Sequence, residues 1–548
     1  MAVKIIVLGG YFLAVLIIGL VARTRWNSSP ETYFLADRRF GPIVLLGTMV
    51  ATNFSAFTVF GTSGAGYRDG YAFFPIMGFG TGFMALTFWI LGRRIWEIGL
   101  ERRLVTPPEL VRSIFDSPLL GGLFALVMII FTIPYLALQP MAAGYALEAL
   151  IGLPYFYGCL LVTGIIVAYT LRGGMRAVAW TDLFQGMVMF ALLLASLLLV
   201  VSHHGGLTSA NQQVLAIHPE LFARPGGRGR YTVAIWFSYM MLWFFCDPMF
   251  PQLFQRFFTA SRRRTLSRIM LFYPLVCTVV FFMPIAIGVL GRLTFPGLEG
   301  QAADKILPLV VTHLAGDAMA ALVMAAGLAA LMSTMDSQLL TLSSIFTRDI
   351  LAPILPRAAV GAVTGRLFVI FLSLCGLALA YRPPDTILQI ATETFTGLAV
   401  LFPTVIFGLY LKRVHPLPAI TSILAGEALL AAFHFKWLSS GAFLPVVWIM
   451  LATFGIYLTL HAAIEGRGFG IPDWLRDPYA WMLAAIFALA IDFWAWGRIG
   501  PTWLGVPVWI GYFVVLSALQ TGVMYFWIKS SSLQTVSLNR PKRPGPVE

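Results

Sequence analysis

The stretch Ala330-Leu331-Met332-Ser333-Thr334-Met335-Asp336-Ser337 sets hydroxyls and a carboxyl inside an apolar run over about 319–345. Ala330, Ser333, Thr334 and Ser337 recur at i, i+3, i+4 and i+7 and so share one helix face, with Asp336 at its edge. Hydroxyl and main-chain oxygens are the donors a hard cation accepts, and they supply them without heavy charge. The competing reading is local, because Ser and Thr in a helix bond back to the carbonyl one turn earlier. That explains one hydroxyl better than it explains four polar residues with an acid, and an acid within an apolar span marks function by default.

Two other apolar runs look interrupted. One reads Val50-Ala51-Thr52-Asn53-Phe54-Ser55-Ala56-Phe57-Thr58, followed by Gly61, Ser63, Gly64 and Gly66. The other reads Trp243-Phe244-Phe245-Cys246-Asp247-Pro248-Met249-Phe250-Pro251-Gln252. Uncoiled backbone at membrane depth occurs only where it lines a cavity. The two runs lie five spans apart and therefore cross in opposite directions. Paired interruptions of this kind point to an inverted repeat with a binding site near the midplane. For Gly61 to Gly66 close helix packing through small residues is the alternative. Asp182, with Gln185 three residues on, either caps a helix or faces the inner mouth of an ion path.

Composition says which elements hold these residues. Of the 548 residues, 59% are hydrophobic and 11% charged, mean hydropathy is +0.84 and formal net charge is +13. That excludes a soluble enzyme, a disordered chain and a nucleic-acid module. Roughly fifteen apolar runs of bilayer length are legible. Placing the N-terminus outside puts 27 of the 37 Lys and Arg on inner segments, including Arg256, which supports N-out and C-in. The first run is followed by Arg23 and Arg25 and reads as a retained helix, not a cleaved signal. The four cysteines are widely spaced and suggest neither a disulfide framework nor a zinc site. No HExxH or Gly-x-Ser-x-Gly occurs, so no enzyme constellation is indicated. A membrane sensor would need an attached signalling domain, and the tail after Lys529 is short. The expected organisation is a leading helix and inner loop (1–40), a ten-helix core (41–413, with halves of about 41–202 and 231–413), four further helices (414–528) and a disordered cytoplasmic tail (529–548).

The residues at this point resemble the sodium:solute symporter family. Three segments carry the resemblance: Gly-Gly-x-x-Ala-Val-x-Trp-Thr-Asp-x-x-Gln at 173–185, Ala-Leu-Met-Ser-Thr-x-x-Ser at 330–337 continuing to Asp349, and Pro-x-x-x-Gln-Arg ending at Gln255-Arg256. The resemblance implies an all-α integral membrane protein of leucine-transporter fold, with a five-plus-five inverted repeat and flanking helices. It implies a sodium site made by the carbonyls of Ala51, Phe54 and Ala330 with the hydroxyls of Ser333 and Thr334. A second cation would involve Asp182, Ser333 and Ser337. Asp336 stands where some two-ion members have serine, which leaves sodium, a proton or an ion pair open there.

The same resemblance implies a sodium-coupled secondary active symporter in a bacterial inner membrane, functioning as a monomer with a small organic solute, sodium and the lipid bilayer as its partners and no nucleic acid. Its Ala-Thr-Asn-Phe-Ser-Ala-Phe-Thr and Gly-Tyr-Arg-Asp-Gly segments look most like the monocarboxylate and pantothenate-type branch. A monocarboxylate-like anion is the expected solute, with pantothenate, proline, another amino acid or a sugar as alternatives. Asn53, Ser55, Thr58, Gln139, Asp247 and Gln252 are the candidate solute residues. Gln139 either lines the site or makes a structural cross-helix bond, since an unpaired amide there is costly. Arg68 reads as a solvated charge at the outer mouth. Glu393 either gates or faces outer water. Moving one charge through about 100 mV supplies roughly 2.3 kcal/mol, and a tenfold gradient about 1.4 kcal/mol. One sodium thus concentrates a neutral solute a few hundredfold but a monoanion only about tenfold.

Overall fold

The computed structural model of the chain describes residues 1–22, 29–354, 362–383, 385–466 and 473–538. Seven of the basic residues used for sidedness (Arg23, Arg25, Arg357, Arg467, Arg540, Lys542 and Arg543) lie outside them. In chain order the main helices are α1 (Ala2–Val21), α2 (Pro42–Asn53), α3 (Phe57–Phe73), α4 (Pro75–Glu101), α5 (Pro118–Ile151), α6 (Tyr155–His203), α7 (Val233–Met249) and α8 (Pro251–Thr259). They continue with α9 (Arg263–Gly291), α10 (Asp317–Leu351), α11 (Thr364–Tyr381), α12 (Ile387–Tyr410), α13 (Pro416–His434), α14 (Pro445–Glu465), α15 (Pro478–Leu489) and α16 (Val508–Leu538). The only strands among the described residues are a ribbon of Thr502–Trp503 against Val506–Pro507.

Eleven of these helices are long and apolar enough to cross a bilayer, and the count rises to 13 when each bent pair is taken as one span. The bent pairs are α2 with α3, at 60°, and α7 with α8, at 53°. They are the two runs that the sequence marks as interrupted. Prolines enforce the second break: Pro248 and Pro251 flank Phe250, whose ψ of 123° leaves the helical region. Helix α6 has 49 residues, about 70 Å at 1.5 Å per residue, too long for one crossing of a roughly 30 Å core. It is interrupted at Gly174, whose φ of 64° and ψ of −173° only glycine tolerates well. Asp182 lies eight residues beyond this kink, inside the helix. The helix-cap reading of Asp182 with Gln185 is therefore corrected.

The core forms where α10 packs against α6, α5, α1 and α2, and where α9 packs against α3. Small residues set the second contact. A Cβ on Gly288 would lie 2.0 Å from the Ser63 carbonyl oxygen, and one on Gly66 would lie 2.4 Å from that of Ile285. Glycine lets the two backbones touch. The tail also differs from expectation. Helix α16 continues through Leu538, so residues 529–538 are helical, and 539–548 lie outside the described residues.

Candidate cation and solute site at two broken helices

Breaking α2 from α3 frees main-chain groups in the centre of the protein, and side chains from distant helices answer them. Beyond the break, Gln139 Oε1 accepts from Ala56 N at 3.1 Å, while Gln139 Nε2 donates to the Tyr135 carbonyl at 3.0 Å. Ser55 Oγ accepts from Phe57 N at 3.1 Å, and the Ser55 carbonyl accepts from Thr58 N and Val59 N. Gln139 thus uses both ends of its amide as a structural link. Before the break, the carbonyls of α2 turn to α10. Ser333 Oγ donates to the Ala51 carbonyl at 2.8 Å, and Thr334 Oγ1 donates to that of Thr52 at 2.9 Å. The Ala330 carbonyl lies 3.1 Å from Ser333 Oγ and 3.2 Å from Thr334 Oγ1.

Five oxygens, three carbonyl and two hydroxyl, therefore converge from two helices 282 residues apart in the chain. Ala51, Phe54, Ala330, Ser333 and Thr334 are all buried. The donor set fits a hard cation, whose charge the lone pairs of these hydroxyls and carbonyls would meet. The Thr52 carbonyl belongs to this set although the sequence reading names its neighbours instead. Its only sequence signal is adjacency to Ala51. The Phe54 carbonyl has no contact with α10 of this kind.

A second layer lies beside it. Asp182 was expected with Ser337 and Asp336 at a second mobile cation, but in the structure it faces a fixed one. Arg256 Nη2 lies 2.8 Å from Asp182 Oδ2 and donates to Ser337 Oγ at 2.7 Å. Its Nε reaches Thr48 Oγ1 at 2.9 Å and its Nη1 the Gln252 carbonyl at 2.8 Å. Thr48 and Thr52 also donate to Asp182, and Thr52 pairs with Ser337. Asp336 accepts from Tyr169 at 2.9 Å and from Ser337 at 3.3 Å. Arg256 is fully buried, which corrects its placement among inner-loop charges. Its isolation next to Gln255 in an apolar, proline-broken run is the signal that could have located it.

The solute candidates sit around the two breaks. Asn53 Nδ2 donates to Tyr273 at 2.5 Å. Asp247 is buried at the end of α7 and accepts a weak bond from Cys246 Sγ at 3.4 Å. Thr58 Oγ1 and both amide atoms of Gln252 are buried without partners, as are Trp243 Nε1 and both amide atoms of Gln338. Buried polar atoms normally find partners, so Thr58, Trp243 and Gln252, which flank the two breaks, have hydrogen-bonding capacity to spare. Trp243, Gln338 and Tyr273 were not anticipated from sequence, because aromatic and amide residues in an apolar run have no distinguishing period.

Both ends of the fold are clasped. At one end, Phe40 N donates to the Thr259 carbonyl at 3.2 Å and Ser261 N donates to the Phe40 carbonyl at 3.0 Å. Arg38 there donates to the carbonyls of Phe258 and Leu104. At the other end, Arg68 Nη1 lies 2.9 Å from Asp304 Oδ1, and Asp304 Oδ2 accepts from Ile387 N at 3.0 Å. Arg68 is only 5% exposed and corrects the reading of a solvated loop charge. Burial pushes the Asp304 carboxyl above its usual range, opposed by Arg68. Glu393 is half-exposed and lies 3.3 Å from His434 Nδ1.

The model of the sodium:solute symporter family matches residues 33–426. The chain is 29% identical over 453 residues to the sodium/pantothenate symporter of Escherichia coli (strain K12), covering 80% of this chain and 90% of that one. It is 27% identical over 420 residues to a high-affinity proline transporter of Bacillus subtilis (strain 168), covering 75% and 88%. In three dimensions it resembles the outward-open state of a Na+-coupled sialic acid symporter, with TM-score 0.72 and 19% identity over 86% of this chain and 98% of that chain.

Proposed function

The chain belongs to the sodium:solute symporter family, and from that premise we propose that it imports a small organic solute with sodium by alternating access. The observation that carries this reading is the pairing of Ser333 and Thr334 on α10 with the carbonyls of Ala51 and Thr52 at the broken end of α2. Sodium held by these oxygens and by the Ala330 carbonyl ties α2 to α10, favours the outward-open state and with it solute binding. In a low-sodium interior the ion leaves, the helices loosen and the solute is released.

Arg256 supplies the positive charge beside Asp182, so one mobile sodium per cycle is the stoichiometry this arrangement favours. Asp336 remains the one acid of that layer without a basic residue bonded to it, and is where any second cation or proton would go. The membrane arrangement we propose is fifteen spans, N-out and C-in, of leucine-transporter fold with the two bent pairs opening the inverted halves. Dividing α6 at Gly174 and counting the short α15 bring the helices to that number. Solute classes divide on charge. With a monocarboxylate-like anion, one sodium moves no net charge; with a zwitterion or neutral solute, it moves one.

The test is uptake into proteoliposomes across lactate, pyruvate, propionate, pantothenate, proline and galactose, with sodium and pH varied separately. A solute that accumulates unchanged only under an inward sodium gradient supports the reading. Accumulation indifferent to sodium for every member would remove it.

A further inference from the structure

We infer that the solute carries a protonated nitrogen held by Asp247, and is therefore a small zwitterion and not a simple monocarboxylate. This rests on the symport reading above and names the substrate class of its site.

Asp247 is 2% exposed at the break between α7 and α8. Around it stand Asn53, Tyr135, Cys246, Tyr273 and Cys277, and none is basic. Among the described residues no Lys, Arg or His nitrogen lies within 4 Å of it; Asp182 is paired with Arg256, and Asp336, also without a basic partner, accepts a 2.9 Å bond from Tyr169, whereas Asp247 accepts only a weak thiol bond. A buried carboxylate without a countercharge is costly, and at a transport site the partner that removes the cost is one that arrives with the cargo.

The basic side chain and the helix N-terminus that would receive an anion are already engaged. Arg256, the basic side chain bound to the site's second layer, is held by Asp182, Ser337, Thr48 and the Gln252 carbonyl. A half-helix N-terminus attracts anions through its free N–H groups. At the break before α3, however, the N–H groups of Ala56, Phe57, Thr58 and Val59 are taken by Gln139 and Ser55. An incoming monocarboxylate would meet Asp247 with the sodium and the neutral donors of Thr58, Trp243 and Gln252 to attract it, but with no basic side chain and no partner for Asp247.

Aromatic rings favour the opposite charge. Trp243 lies 5.6 Å from Phe57 and 5.5 Å from Phe395 between centroids, and Tyr135 lies 5.3 Å from Phe250 and 4.8 Å from Phe395. Ring faces attract an ammonium through their quadrupole, most strongly when water is excluded. With Asp336 holding a proton, charge then closes: Arg256 balances Asp182, sodium balances Asp247, and a zwitterion adds none. Its ammonium faces Asp247, and its carboxylate is left for the sodium and for the unpartnered Thr58 hydroxyl, Trp243 Nε1 and Gln252 amide.

The test uses matched radiolabelled pairs that differ by nitrogen for oxygen: L-alanine with L-lactate, L-serine with glycerate, and L-proline with tetrahydrofuran-2-carboxylate. Sodium-driven uptake is measured in proteoliposomes containing the full chain. The expected result is that the nitrogen member of at least one pair is preferred by about 100-fold. Asp247→Asn should lose at least about tenfold of that preference, and Asp247→Glu should keep part of it. Retained stabilisation of Asp247→Asn by sodium in a thermal melt establishes that the variant is folded. Three results would overturn the inference: uptake of the oxygen members at equal or greater efficiency, an Asp247→Asn variant with unchanged preference, or no uptake of any nitrogen member. Sodium-driven lactate uptake equal to or above that of alanine would overturn it while leaving the symport reading standing. Uptake of alanine that ignores sodium would do the reverse.

Discussion

Ser333 Oγ donates to the Ala51 carbonyl across 2.8 Å, joining two residues 282 positions apart in the last turn of α2. Thr334 repeats the contact one residue on, to Thr52. Two hydroxyls on one turn of α10 thus meet consecutive carbonyls at the end of a broken helix. Such an arrangement would offer an ion oxygen ligands without adding charge to an apolar interior.

Removing either hydroxyl deletes one oxygen of the set. Ser333→Ala and Thr334→Ala should each raise the sodium concentration for half-maximal uptake by about tenfold, the worth of one such contact at roughly 1.4 kcal/mol. Folded yield should stay near wild type. A sodium titration of solute uptake reads this directly, and unchanged activation in both variants would count against the site.

Arg256 and Asp182 are both fully buried and 2.8 Å apart. Arg256→Gln leaves the carboxylate without its charge partner and should destabilise the protein by about 3–5 kcal/mol. The double variant Arg256→Gln with Asp182→Asn removes both charges and should recover most of the loss. Thermal unfolding in detergent distinguishes a charge pair, which shows this recovery, from two independent packing roles, whose costs would add.

Gly288 tests the contact between α9 and α3. A methyl group there would sit 2.0 Å from the Ser63 carbonyl oxygen, a backbone atom that cannot rotate aside. Gly288→Ala should force the helices apart at a cost of about 1–3 kcal/mol, and uptake should fall with the melting temperature. Gly455→Ala, with open space around the added Cβ, is the control that should change neither.

Asp304 makes stability pH-dependent. Burial raises its carboxyl pKa in the folded state despite Arg68. Between the unfolded value near 3.9 and the raised folded value, the native protein binds more protons than the unfolded chain. Stability should therefore fall as pH rises through that window and level off above it. Asp304→Asn should remove this component of the slope, as read from melting temperature against pH.

Much of this protein is set by local pattern. Apolar runs of bilayer length, the polar face of Ser333, Thr334 and Ser337, and the prolines around Phe250 depend on spacing that a chain carries wherever it goes, so the apolar helices, the two breaks and the polar face proposed to hold the cation are legible before folding. Partnership is different. Arg256 sits near the end of a span, where a basic residue ordinarily reaches water, and only the packing of α8 against α2, α4 and α10 buries it, bonded to Asp182 of α6, 74 positions away. Gln139 becomes a structural bridge because α5 passes beside Ala56, and Arg68 loses its solvent because Asp304 folds over it. Charge neutralisation across tens or hundreds of residues is decided by which helices touch, and no periodicity within one segment encodes it.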